Sequence, residues 1–162
     1  MQTRSIRSLV FFGAGIGLIV AFFAAAEFVD ASLRQICSFN SFFSCSTVDN
    51  SPYTNTIGVP DYLVGILGFI AILVVAGLAE KYPEERRYEW TLLVVTTIGV
   101  AVSIYLLYVE LALIHALCLV CATAYFMGVV AWVGAILLIR QPTEEPDADE
   151  LDDERAEGME DV

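Results

Sequence analysis

Lysine is almost missing from this chain. Lys81 is the single one, and His115 is the single histidine. Eight basic side chains face 20 acidic ones, so little is available to neutralise phosphates, and nucleic acid is excluded as a partner. The sequence carries no flavin, haem or nucleotide motif, no Ser–His arrangement and no metal-ligand cluster. Gly13-Ala14-Gly15-Ile16-Gly17 is glycine-rich, but it lies inside an apolar run with no strand before it, so it is not a phosphate loop. Charge is also scarce in four long stretches, 9–26, 59–79, 90–109 and 116–139, which hold Asp61 as their one charged residue. Each is near the roughly 20 residues that a helix needs to cross the hydrocarbon core. They use about half of a 162-residue chain that is 57% hydrophobic. A second globular domain has no room.

These runs predict an all-α integral membrane protein. Four transmembrane helices form an antiparallel bundle over 1–141, with a partly ordered extracytoplasmic loop over one end. Segment 142–162 is different. Eleven of the 20 acidic residues lie within 144–161, and such a block reads as a solvated, disordered cytoplasmic tail. The basic residues set the orientation. Arg4 and Arg7 precede the first run, Lys81, Arg86 and Arg87 fill the second loop, and Arg140 follows the fourth run. By the positive-inside rule both termini face the cytoplasm, in a multi-pass protein of the cell membrane. Ala24-Ala25-Ala26 resembles a signal cleavage site. The apolar run before it is longer than a usual signal core, so the first helix is expected to stay uncleaved. Gly13-x-x-x-Gly17 and Gly65-x-x-Gly68 permit close helix contact.

All four cysteines, Cys37, Cys45, Cys118 and Cys121, then fall on the extracytoplasmic side, where disulfides persist. Cys118 and Cys121 open the fourth helix. Residues i and i+3 share a helix face, and the partial positive charge of a helix start favours the thiolate that attacks in exchange. A bridge across three residues of one helix would stabilise little, so this pair is placed for redox chemistry. Cys37 and Cys45 have two readings. Their disulfide is either a loop clip worth roughly 2–3 kcal/mol in the loop-entropy model, or the outer half of a relay. A tetrahedral zinc site on the four sulfurs is a third arrangement, which the oxidising side and the membrane-level inner pair disfavour. Two thiol pairs on one side suggest a relay. The loop pair can meet a soluble protein, and the inner pair a lipid-soluble acceptor. With no cofactor motif in the chain, a membrane quinone is the simplest two-electron acceptor. The alternative class is a non-enzymatic small membrane protein with structural disulfides.

Certain motifs here resemble the vitamin K epoxide reductase family. They are Cys37-x7-Cys45-Ser46-x-Val48, Ser51-Pro52-Tyr53, Gly58-Val59-Pro60 and Cys118-x-x-Cys121-x-x-x-Tyr125, and the likeness spans about 7–140. The resemblance implies a quinone-dependent protein-thiol oxidoreductase that supports disulfide formation, with menaquinone or ubiquinone as acceptor and no metal. It implies that Cys121 attacks the quinone and that Cys118 resolves the transient adduct. Cys45 then shuttles electrons onto the 118–121 pair, and Cys37 pairs with Cys45 and exchanges with a thioredoxin-like protein. Tyr125 resembles the family tyrosine that hydrogen-bonds a quinone carbonyl. Asn55 stands near the family's quinone-binding Asn, one place off when Gly58 is the anchor. No thioredoxin-like domain is fused, so the partner is expected to be a separate extracytoplasmic protein. Reduction of vitamin K epoxide itself is the family's other activity.

The remaining candidates lie near these motifs. Phe39, Phe42 and Phe43 have i, i+3, i+4 spacing. If 38–44 is a helical turn, they form an apolar face over the outer interface that caps the quinone pocket. His115 precedes Cys118 by three residues and reads either as a thiolate partner or as a solvated boundary residue. Glu110 and Asp61 read as solvated boundary carboxylates. Tyr105 and Tyr108 read as pocket wall or aromatic belt.

Overall fold

The computed structural model describes residues 2–30, 32, 33, 38, 40, 42–49, 51, 60–82 and 85–141. The expectations for Cys37, Phe39, Asn55 and the acidic segment 142–162 lie outside the described residues. Four long helices dominate. They are α1 (Gln2–Val29), α3 (Asp61–Lys81), α4 (Arg86–Tyr108) and α5 (Leu119–Ile139), with a single turn, α2 (Cys45–Asp49), between the first two. Helix α4 runs on through a π-helical segment, Val109–Ile114. The spans 5–29, 61–81, 86–114 and 119–139 have mean hydropathies of 2.4, 2.6, 2.3 and 2.1, and each is long enough to cross a bilayer. Helices suit that solvent because every backbone polar group is satisfied within its own segment. The all-α membrane fold expected from the sequence is borne out.

Helix α1 packs against α3 and α5, and α4 packs against the same two, so α1 and α4 stand diagonally. The core is made of Val10, Ala14, Phe69, Ile72, Leu92, Ala131 and neighbours from all four helices. Small residues bring α1 onto α5. A Cβ added at Gly13 would meet backbone Ala131 N and Met127 O at 3.0 Å. Without an aqueous driving force between helices, such close backbone approach carries the packing. Gly13→Leu is therefore expected to force α1 and α5 apart, at a cost of about 1–3 kcal/mol. Thermal unfolding in detergent reads this directly, and an unchanged midpoint would refute the contact. Gly17 meets the Phe69 ring in the same sense, whereas Gly68 has open space beside it. Outward-facing Ile19, Leu67, Ile104 and Phe126 are exposed, one on each helix, as lipid-facing positions should be.

The two ends of the bundle differ. At one, Tyr82 stacks on Tyr88, and Arg86 donates to the Ile139 carbonyl at 3.0 Å, tying the start of α4 to the end of α5. At the other, Phe28 of α1 meets Tyr62 of α3 with ring centroids 5.1 Å apart. That second end carries α2, the π-helical segment and the start of α5.

Candidate active site

Helix α5 begins three residues later than its apolar run suggests, because Cys118 is its N-cap. Its backbone is extended (φ −85°, ψ 114°), and its Sγ accepts the Cys121 amide N–H at 3.3 Å. A sulfur does here what a Ser or Asp oxygen does at an ordinary helix start. It sits where unpaired N–H groups and the helix dipole favour negative charge.

The loop between α1 and α3 delivers Cys45 to this point. The stretch expected to be a helical turn, 38–44, is not helical at its described positions 38, 40 and 42–44. The Asn40 side chain accepts from the Phe42 and Phe43 amides at 3.0 and 2.7 Å, and this turn diverts the chain from a helix. The loop then pairs with the α5 approach. Leu117 N–H donates to the Phe42 carbonyl at 2.7 Å, and Phe43 bridges to Leu117 in parallel. The helical turn comes next, at α2. Ser44 opens it, with its Oγ accepting from Thr47 N at 3.3 Å. Ser44 and Ser46 hydroxyls are 3.0 Å apart. Cys45 is thereby the first residue of α2. It packs with Val48, Ala116 and Cys118 in a second, separate core.

Cys45 Sγ lies 3.1 Å from Cys118 Sγ, and the two residues are 0% and 2% exposed. Reacting atoms held about 3–3.5 Å apart are in near-attack geometry. Cys45 is disulfide-bonded, while Cys118 and Cys121 are in the thiol form.

Below the thiols lies a cavity of about 290 Å³, lined by α1, α3, α4, α5 and Val48 of α2. Its wall is mostly apolar, with Phe28, Phe69 and Val95 among the lining groups. Asp61, Cys121 and Tyr125 line it as well. An apolar chamber with a few convergent polar groups is the usual form of a small-molecule site. Phe42 and Phe43 do not line it. Phe42 is exposed, and the two rings meet edge to face, 5.1 Å apart. Tyr105 and Tyr108 are exposed on the lipid face, and His115 is exposed in a left-handed conformation (φ 57°) that ends the π-helical segment.

Glu110 departs most from the sequence reading. It is 3% exposed, not solvated. One carboxyl oxygen accepts the Cys118 amide N–H at 3.0 Å, and the other accepts the Tyr125 hydroxyl at 2.8 Å. Its backbone carbonyl accepts Ala116 N–H at 3.1 Å. The sequence offered one signal, an acidic residue at the end of a span, where ionisable groups are rare and usually functional. The π-helical register that turns it inward has no such signature. Asp61 also departs from the solvated reading, since it lines the cavity in the first turn of α3.

Fold and site together define a class, a four-helix membrane protein with closely spaced sulfurs at one end of the bundle, beside an apolar chamber. The model of the vitamin K epoxide reductase family matches residues 8–136. The chain belongs to that family, and it is a membrane oxidoreductase.

Proposed function

We propose that this protein is a quinone-dependent thiol-disulfide oxidoreductase. It takes electrons from a separate extracytoplasmic thioredoxin-like protein at Cys37 and Cys45 and passes them to Cys118 and Cys121. A membrane quinone then receives them at the cavity. The cysteine end faces the extracytoplasmic side in this reading, and the outcome is disulfide formation in exported proteins.

The observation that carries the proposal is the 3.1 Å approach of Cys45 Sγ to Cys118 Sγ, with Cys121 on the wall of the apolar chamber. In the forward step the Cys45 thiolate attacks Cys118 Sγ of a 118–121 disulfide and releases the Cys121 thiolate. Cys37 then attacks Cys45, closes the outer disulfide and releases Cys118. Two electrons have moved inward and no sulfur is left over. The state with Cys45 in a disulfide and the inner pair as thiols is the loaded state before the acceptor is reduced. A bound quinone would take both electrons and both protons of the two thiols, closing the 118–121 disulfide. The chamber suits a flat apolar ring, and Asp61, Cys121 and Tyr125 are among the polar groups near its thiol end.

Purified, fully reduced protein mixed anaerobically with menaquinone or ubiquinone analogues should convert about one quinone per 118–121 pair in a single turnover. Quinone absorbance follows this. Reduced protein that leaves both analogues untouched would defeat the proposal.

A further inference from the structure

We propose that Glu110 is a positioning residue that couples the two halves of the reaction. Its carboxyl group fixes Cys118 for exchange with Cys45 through one oxygen, and fixes the Tyr125 hydroxyl on the chamber wall through the other. The inference rests on the functional reading above and assigns a role to a residue outside the four cysteines.

Both contacts are made from one buried carboxyl group. Cys118 N–H to Glu110 is 3.0 Å, and Tyr125 O–H to Glu110 is 2.8 Å. A buried polar side chain in a membrane span is costly unless it is well bonded, and its presence points to function. The chain is built to place it there. The π-helical segment Val109–Ile114 interrupts α4 at this point, and such interruptions concentrate at functional sites. His115, in its left-handed conformation, then turns the chain so that Ala116 N–H returns to the Glu110 carbonyl. The loop between α4 and α5 is thus closed at both ends by one residue, with its backbone on Ala116 and its side chain on Cys118. Cys118 is at once the N-cap of α5, the neighbour of Cys45 Sγ and a donor to Glu110. Tyr125 lies two turns into α5 and lines the same chamber as Cys121. Displacing Glu110 would therefore release the exchange site and the chamber wall together.

Glutamine separates the two functions. Its amide oxygen still accepts the Cys118 N–H, so Cys118 stays in place. Its NH₂ group donates where the second carboxyl oxygen accepted, so Tyr125 must turn its hydroxyl.

The test uses full-length protein and two independent readouts. Exchange is read in a Cys121→Ala background, where the Cys118 thiolate attacks the outer disulfide at Cys45, breaks the 37–45 bond and releases the Cys37 thiolate, whose alkylation traps the 45–118 mixed disulfide. Mass spectrometry after alkylation counts it without any quinone. The chamber is read as the KM for a menaquinone analogue in otherwise unchanged protein. Glu110→Ala should slow trapping by about 100-fold, the loss expected from an ångström-scale misplacement of reacting atoms, and should also raise the quinone KM. Glu110→Gln should trap at close to the parent rate while its quinone KM remains altered. Tyr125→Phe should alter the KM alone. Should Glu110→Ala fail to fold, the glutamine variant decides by itself. Normal trapping with a shifted KM supports coupling, and trapping as slow as a misfolded control overturns it. A folded Glu110→Ala protein with both readouts unchanged overturns it as well. If the parent traps the mixed disulfide but reduces no quinone, the functional reading fails at its acceptor while the exchange role of Glu110 is still measured.

Discussion

Cys121→Ala should abolish quinone reduction while leaving the bundle intact. The expected loss is about 10⁴-fold or more, the scale seen when an attacking nucleophile is deleted from an enzyme. The cause is local. Cys121 carries the thiol on the chamber wall, while Cys118 lies above it, buried against Cys45 and Ala116. Among the described residues, Cys121 is the cysteine that lines the chamber. Stability should change little, because Cys121 is half-buried and in the thiol form, so no bridge is lost. Anaerobic quinone absorbance reads the first effect, and thermal unfolding in detergent reads the second. An active Cys121→Ala protein would remove Cys121 from the reaction. Loss of fold together with loss of activity would instead favour a structural role for the sulfur.

A second large effect separates a relay from a single working pair. Cys45→Ala should stop turnover driven by an external reduced thioredoxin-like protein, by about 10³-fold or more, because it removes the loop sulfur that stands at near-attack distance from Cys118. The same variant, reduced chemically beforehand, should still deliver one pair of electrons from Cys118 and Cys121 to a quinone analogue. Multiple-turnover and single-turnover assays on one preparation give both answers. If external turnover persists in Cys45→Ala, the partner reaches the inner pair directly and the outer pair is a clip. If the single turnover also vanishes, Cys45 supports the site by packing, which its complete burial beside Val48 would allow.

The four helices were legible because membrane spans are specified locally. A run of about 20 apolar residues excludes other structures in lipid, whatever the rest of the chain does. Cys45, Cys118 and Cys121 were legible as a group for a related reason. Once the spans alternate direction, residues before α3 and at the start of α5 must fall at the same end. Gly13 and Gly17 were also read correctly as contact points, since small residues at helical spacing have one main use in a membrane.

The loop was less legible. Phe42 and Phe43 have helical spacing, yet the Asn40 side chain supplies a turn there and the helix waits until Cys45. Local side-chain hydrogen bonds beat an apolar pattern when the segment is too short to repay helix nucleation. Tyr125 was placed one turn beyond Cys121, and it does line the chamber. That its hydroxyl is held by Glu110 follows from no spacing, because the two residues are 15 apart on different elements.

By itself the sequence determined how many spans the chain can put across a membrane and which end of the bundle collects Cys45, Cys118 and Cys121. Both follow from transfer free energies that act residue by residue. Only tertiary structure decided that Cys45 and Cys118, 73 positions apart, stand 3.1 Å from each other, and that Glu110 turns inward to hold Cys118 and Tyr125. Such contacts depend on the register of a π-helical segment and the path of a loop. Both are set by how the elements pack against one another.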